Sequence, residues 1–139
     1  MGARSKARKR AVDILFEADL RGEDPVTLIA GRIGSADVPP VNDYTVTLVE
    51  GVKAHQARID DLISEHAEGW TLQRMPAIDL TVLRIATFEL FHRPDVPTAV
   101  VLDEAIELAK RFGSEQSGRF VNGLLDGLLR SHHFPGSMT

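Results

Sequence analysis

No cysteine occurs in the 139 residues, so a disulfide framework, a thiolate-ligated metal and a cysteine nucleophile are all excluded. The absence fits a reducing, cytoplasmic setting. No stretch approaches the roughly 20 consecutive apolar residues that a membrane-spanning helix needs. The cations at the start are those of a signal peptide's first segment, yet Asp13, Glu17 and Asp19 interrupt Ala11 to Leu20, so no apolar run follows. No period-2 segment is found, although Val96 to Leu102 is locally ambiguous, and no glycine-rich phosphate loop: Gly113, Gly118, Gly123 and Gly127 fall at helix ends or within a helix. Acid is missing from the first ten residues. They hold Arg4, Lys6, Arg8, Lys9 and Arg10, while the chain carries a formal net charge of −4. A basic arm on an acidic body suits a polyanion such as nucleic acid; charge alone leaves open a solvated tail that binds nothing specific.

What is present is helical periodicity, and the length suits one compact domain. Ala7, Ala11, Ile14, Leu15 and Ala18 share one face of a first helix; Val12, Phe16 and Leu20 mark a second stripe nearly opposite, so burial on two sides is expected. Gly22 breaks this helix. Pro25 opens a short second helix to about Arg32, and Gly34, Pro39 and Pro40 mark a loop. Asn42 or Asp43 caps a long third helix bearing Tyr44, Leu48, Val49, Val52, Ile59, Leu62 and Ile63, which Gly69 ends. A turn around Trp70, Leu72 and Met75 leads to Pro76. The segment Ile78 to Phe91 is apolar nearly all round and is expected to be the central core helix. Pro94 and Pro97 frame a break, an amphipathic helix runs from Val100 to Phe112, and Gly113 stops it. Ser114 or Ser117 starts a last helix with Phe120, Val121, Leu124, Leu125, Leu128 and Leu129 inward. His132, His133 and the residues after Pro135 read as a frayed tail. The fold expected is all-α, with six or seven helices.

Chemistry-bearing patterns are sparse. His55, His66, His92, His132 and His133 have no spacing that joins two imidazoles to a carboxylate on one helical face, so no metal site is expected. The neighbours Asp60 with Asp61 and Glu104 with Glu107 read as solvated faces rather than acid–base pairs. No catalytic residue and no cofactor is expected. The cations of the arm spread around the helix axis rather than forming one row, which suits a flexible arm that orders on phosphates. Single-stranded RNA is read by stacking unpaired bases on aromatic rings. Phe16 is the nearest aromatic to the arm, and Ser117, Gly118 and Arg119 set polar and basic groups beside Phe120; core packing is the default for both rings. Asn122 lies off the apolar stripe, where it can cap, bond to a loop or reach a base.

The run Asp103-Glu104-Ala105-Ile106-Glu107-Leu108-Ala109-Lys110-Arg111-Phe112-Gly113, followed by Arg119-Phe120-Val121-Asn122-Gly123-Leu124-Leu125-Asp126, closely resembles the C-terminal signature of the NusB transcription antitermination factors. Leu83-Arg84-Ile85-Ala86 with Glu89-Leu90, Asp95-Val96-Pro97, Asp60-Asp61-Leu62-Ile63 and Ala7-Arg8-Lys9-Arg10-Ala11-Val12 extend the resemblance over Ser5 to about Leu129, weakest from Val26 to Val41. The resemblance implies a single domain of two packed helical bundles without catalytic activity. It implies binding of single-stranded boxA RNA of ribosomal RNA leaders together with the ribosomal protein NusE, in a complex that helps RNA polymerase resist premature termination. By position, residues 1–10 are then a basic arm continuous with the first helix, residues 5–131 a helical RNA-binding domain and residues 132–139 a tail. The family's arginine-rich motif falls on Arg4, Lys6, Arg8, Lys9 and Arg10, an RNA-near aromatic on Phe16, and the RNA-facing loop on Glu115 to Phe120, with Gln116, Ser117, Arg119, Phe120 and Asn122 as contacts. Asp79 is expected on an acidic face toward NusE. Many relatives carry aspartate where Gln116 stands, so a repulsive carboxylate is missing here and tighter RNA binding is expected. Lys6 and Lys9 lack the planar fork of arginine, which makes recognition less rigid.

Similar folds also occur as N-terminal domains of ribosomal-RNA cytosine methyltransferases; with no methyl-donor domain in 139 residues and no cysteine, that reading is disfavoured. An adaptor that works through NusE or as a homodimer, without RNA readout, is the alternative function. A homodimer through an apolar helix face stays open.

Overall fold

The computed structural model describes residues 2–38 and 40–132, so His133 and the rest of the expected tail lie outside the described residues. It contains α1 (Ala3–Arg21), α2 (Pro25–Ala30), α3 (Asp43–His66), a short 3-10 turn (Leu72–Arg74), α4 (Ala77–His92), α5 (Thr98–Phe112) and α6 (Glu115–Ser131), with no strand among the described residues. The all-α expectation holds, and the ambiguous stretch after Val96 is the start of α5. The chain divides into two compact units, Met1–Ala54 and His55–Thr139, the boundary falling inside α3.

In the first unit α1 starts on Gly2, whose carbonyl accepts the Lys6 N–H at 3.1 Å. Nothing between Ala3 and Arg21 breaks a helix, and Gly22, at φ 65°, closes it in the left-handed conformation. The arm is thus helical rather than flexible. Ala7, Ala11, Ile14, Leu15 and Ala18 are buried as expected. The second stripe is not: Val12 is buried, but Phe16 is half-buried and Leu20 is 68% exposed. Asp24 caps α2 by accepting the Val26 N–H at 3.0 Å, with Pro25 at the first helical position. Arg32, beyond α2, pairs with Glu17 on α1. Asn42 opens α3 by accepting the Tyr44 N–H at 2.7 Å, and the Thr45 hydroxyl donates to the Ala7 carbonyl at 2.9 Å.

In the second unit α4 packs against α5 and α6, which pack on each other. Leu80, Val82, Leu83, Ile85, Ala86, Phe88 and Leu90 are all buried, which makes α4 the core helix expected from its pattern. Each such large side chain contributes about 1.5–3 kcal/mol through burial. One polar side chain leaves α4 in a defined direction. Arg84 grips Asp60 of α3 through Nε and Nη2 at 2.8 and 2.9 Å, a two-pronged bond that lysine cannot reproduce. At the end of α4, His92 stacks on His55 with ring centroids 3.9 Å apart.

Replacing Arg84 by lysine is expected to lower unfolding stability by about 1–3 kcal/mol, because a charged pair loses one of its two bonds while Asp60 stays partly desolvated. Urea unfolding at neutral pH reads the change; an unaltered midpoint excludes a clamping role.

Candidate nucleic-acid interface

The corner between α5 and α6 builds the first part of the site. Gly113 ends α5 with its N–H on the Ala109 carbonyl at 2.9 Å. A Cβ here would lie 2.5 Å from the Ser117 hydroxyl and 2.8 Å from the Ala109 carbonyl, so only glycine lets the turn close this tightly. Ser114 then caps α6, its hydroxyl accepting the Ser117 N–H at 3.1 Å. The segment Glu115 to Phe120, expected as a loop, is therefore the opening turns of α6. The Ser114 side chain and carbonyl accept the Ser117 and Gly118 N–H groups.

These turns face the start of α4. Asp79, in the first turn of α4, is 3% exposed, and its carboxylate hydrogen-bonds with Ser117. Its Oδ1 is buried and has no hydrogen-bond partner among the described residues. Burial raises the Asp79 carboxyl above the ordinary value of 3.8, and the Ser117 bond offsets part of the rise. Asp79, expected on an acidic face toward NusE, is enclosed: α4 is buried nearly all round, and Asp79 lines a cavity of about 170 Å³. Trp70, Pro76, Ser114, Gln116, Ser117 and Phe120 complete its walls.

Trp70, read from the sequence only as part of a turn, was not expected at the site. It follows Gly69, whose φ of 74° turns the chain out of α3, and its N–H donates to the Ala67 carbonyl at 2.9 Å. The indole is 48% exposed and meets Phe120 edge-on, ring centroids 6.0 Å apart. Phe120 is half-buried rather than core. Both rings also line a groove of about 440 Å³, beside Arg119, Glu68 and Arg130. Of the expected contacts, Gln116, Ser117, Arg119 and Phe120 converge here. Asn122 is exposed on α6 and lines neither cavity.

The basic arm belongs to the first unit, and its cations divide. Arg4 and Lys6 are exposed. Arg8 is 2% exposed, and the Arg4 and Arg8 guanidinium carbons lie 4.4 and 5.7 Å from the centre of the Tyr44 ring. Arg8 therefore serves packing rather than an open phosphate contact. Lys9 and Arg10 are half-buried, and Arg10 Nε and Nη2 find no hydrogen-bond partner among the described residues. Burial raises the Asp13 carboxyl, against the pull of Arg10 and Lys9.

A third grouping escaped the linear spacing of the histidines. Glu65 and His66 at the end of α3 meet His132 just beyond α6, one donor atom from each lying within 4.8 Å of the others. His132 is not a solvated tail: its ring contacts His66 and Phe91, with centroids 5.6 and 5.9 Å away. Among the described residues no helix is long and apolar enough to cross a membrane.

The NusB family model matches residues 5–130. The chain belongs to the NusB family. The transcription antitermination protein NusB of Saccharopolyspora erythraea is 67% identical over 126 residues, covering 90% of this chain and 85% of that protein. The protein of the same name from a Nocardioides species is 50% identical over 131 residues, covering 94% and 96%. Among solved structures, NusB of T. maritima superposes with a TM-score of 0.83 at 36% identity, covering 95% of this chain and 94% of that one. A crystal structure of the antitermination factors NusB and NusE in complex with dsRNA contains a chain similar at TM-score 0.80 and 27% identity, covering 93% and 97%. The family match, over residues 5–130, takes in Trp70, Asp79 and Phe120.

Asp79→Asn is expected to flatten one part of the pH dependence of stability. Because the native carboxyl is raised, the folded state holds its proton more tightly than the unfolded state. Its contribution is complete below the unfolded value near pH 4 and is lost as pH rises through the higher native value. The change in urea midpoint from pH 4 to pH 7 should therefore be shifted upward in the variant relative to the parent, since the variant has no such stability to lose as pH rises; equal pH dependence in both would contradict the burial of this charge.

Proposed function

We propose that this chain is a transcription antitermination factor that binds boxA-type single-stranded RNA of ribosomal RNA leaders together with NusE and helps RNA polymerase avoid premature termination. The observation that carries this reading is the unpaired, buried Asp79 oxygen beneath the ring pair Trp70 and Phe120. A base unstacked from a single strand can lie on the exposed indole, and its exocyclic amine can donate to Asp79 Oδ1. Arg119 and the exposed Arg4 and Lys6 supply charge for the phosphates. Family membership supports the role, and the similarity to a NusB chain solved with NusE and dsRNA supports the choice of partners. Residues 1–10 act as the basic arm of the RNA-binding segment 5–131. No catalytic role is assigned to any residue, and the factor works in the cytoplasm.

The test is binding of a boxA RNA and a scrambled control, with and without NusE, across a salt series. Selective binding that NusE strengthens is expected, with a log–log salt slope steepening by about −0.7 for each phosphate contact. Trp70→Ala and Phe120→Ala should each cost about 1–3 kcal/mol of RNA affinity. Arg4→Ala with Lys6→Ala should shallow the slope, whereas Arg8→Ala should lower stability first. Equal weak binding to both RNAs, unmoved by NusE, would assign the chain to an adaptor role.

Gln116 lines the cavity, and the family resemblance implies that its amide stands in place of a repulsive carboxylate. Gln116→Asp should weaken boxA binding by adding a carboxylate near the phosphates. Asp79→Asn distinguishes the two ligands of the cavity: lost RNA affinity with intact NusE binding identifies a base contact, and the reverse identifies a contact to the protein partner.

A further inference from the structure

We propose that Glu65, His66 and His132 form a binding site for a divalent transition-metal ion of the zinc type, fastening the chain just beyond α6 to the end of α3. Two imidazoles and one carboxylate, with a fourth position left to water, are a donor set that tetrahedral zinc accepts. Magnesium and calcium, which favour all-oxygen shells, are poor matches. One donor atom from each residue already lies within 4.8 Å of the others. Metal–ligand bonds of about 2.0–2.2 Å put donors on a tetrahedral ion roughly 3.4 Å apart, so no pair of donors has to close by more than about 1.4 Å. Glu65 is exposed and can swing inward to close that distance.

His66 is oriented for the task. Its Nδ1 lies 2.9 Å from the Leu62 carbonyl, which can only accept, so Nδ1 carries the proton and Nε2 presents its lone pair. This is the outer-shell bond that fixes ring and tautomer in histidine–metal sites. Gly127 of α6 leaves room beside the same ring: a Cβ there would reach only van der Waals contact with His66 Cδ2, at 3.7 Å. His132 is held from two sides by the rings of His66 and Phe91. Arg130, which lines the groove with Arg119, is directed to Asp126 at 3.3 Å, which lessens its opposition to a bound cation.

The experiment is calorimetric titration of zinc alone into the full, untagged chain after chelator treatment, with thermal unfolding in zinc and in chelator. One ion per chain at micromolar affinity or tighter is expected, together with a higher unfolding midpoint in zinc. His66→Gln and His132→Gln should each weaken binding at least about 10-fold, and Glu65→Gln should weaken it less, while His133→Gln leaves it intact. Comparable unfolding midpoints in chelator establish that the variants fold; should His66→Gln fail this control, His132→Gln decides alone. No heat and no stabilisation at about 100 µM free zinc overturns the site. Binding that survives in both His66→Gln and His132→Gln also overturns it, moving the ion to the stacked pair His55 and His92.

Discussion

The enclosure of α4 sets the terms for the second unit. A helix that buries Leu80, Val82, Leu83, Ile85, Phe88 and Leu90 has no free face, so each polar group it carries is placed by necessity. Arg84 is turned out onto Asp60, where two parallel bonds offset the loss of water. Asp79 lies at the entry of the helix, where the helix dipole favours a carboxylate, yet the surrounding residues remove nearly all solvent. The result is a charge with one bond to Ser117 and one oxygen still seeking a donor. A surface carboxylate would be satisfied by water and would discriminate little.

The α5–α6 corner has a comparable economy. Gly113 permits a close approach, Ser114 caps, and Ser117 is thereby aimed at Asp79. Three small residues within five positions thus shape one wall of the cavity without lengthening the connection. In the first unit, arginine is used in two ways within one helix. Arg8 lends its guanidinium to an aromatic face and is buried, while Arg4, also over Tyr44, remains exposed.

Most of the architecture was legible in the chain because its punctuation is strong. Gly22, Pro25, Pro76, Pro97 and Gly113 mark helix ends where the structure has them, α3 stops at His66 ahead of the expected Gly69, and the all-round apolar pattern identified α4. The family resemblance pointed to Gln116, Ser117, Arg119 and Phe120; the local pattern alone set polar and basic groups beside Phe120 and left core packing as its default. What was not legible depends on tertiary proximity. Trp70 is remote in sequence from Phe120, and nothing in local periodicity brings His132 to His66. Leu20 was misplaced because a stripe of three residues was extended to the last turn, where the helix runs out into solvent before Gly22. Arg8 was assigned to the arm by its charge, although its neighbours Ala7, Ala11 and Val12 already lie on the buried side.

Trp70 is the chain's single tryptophan, and it stands half-exposed at the mouth of the cavity above Asp79. Indole emission from this protein therefore originates from one place. Anything that settles on the ring displaces water from it and alters colour and intensity together, so the chain carries its own optical reporter at the site, with no label attached.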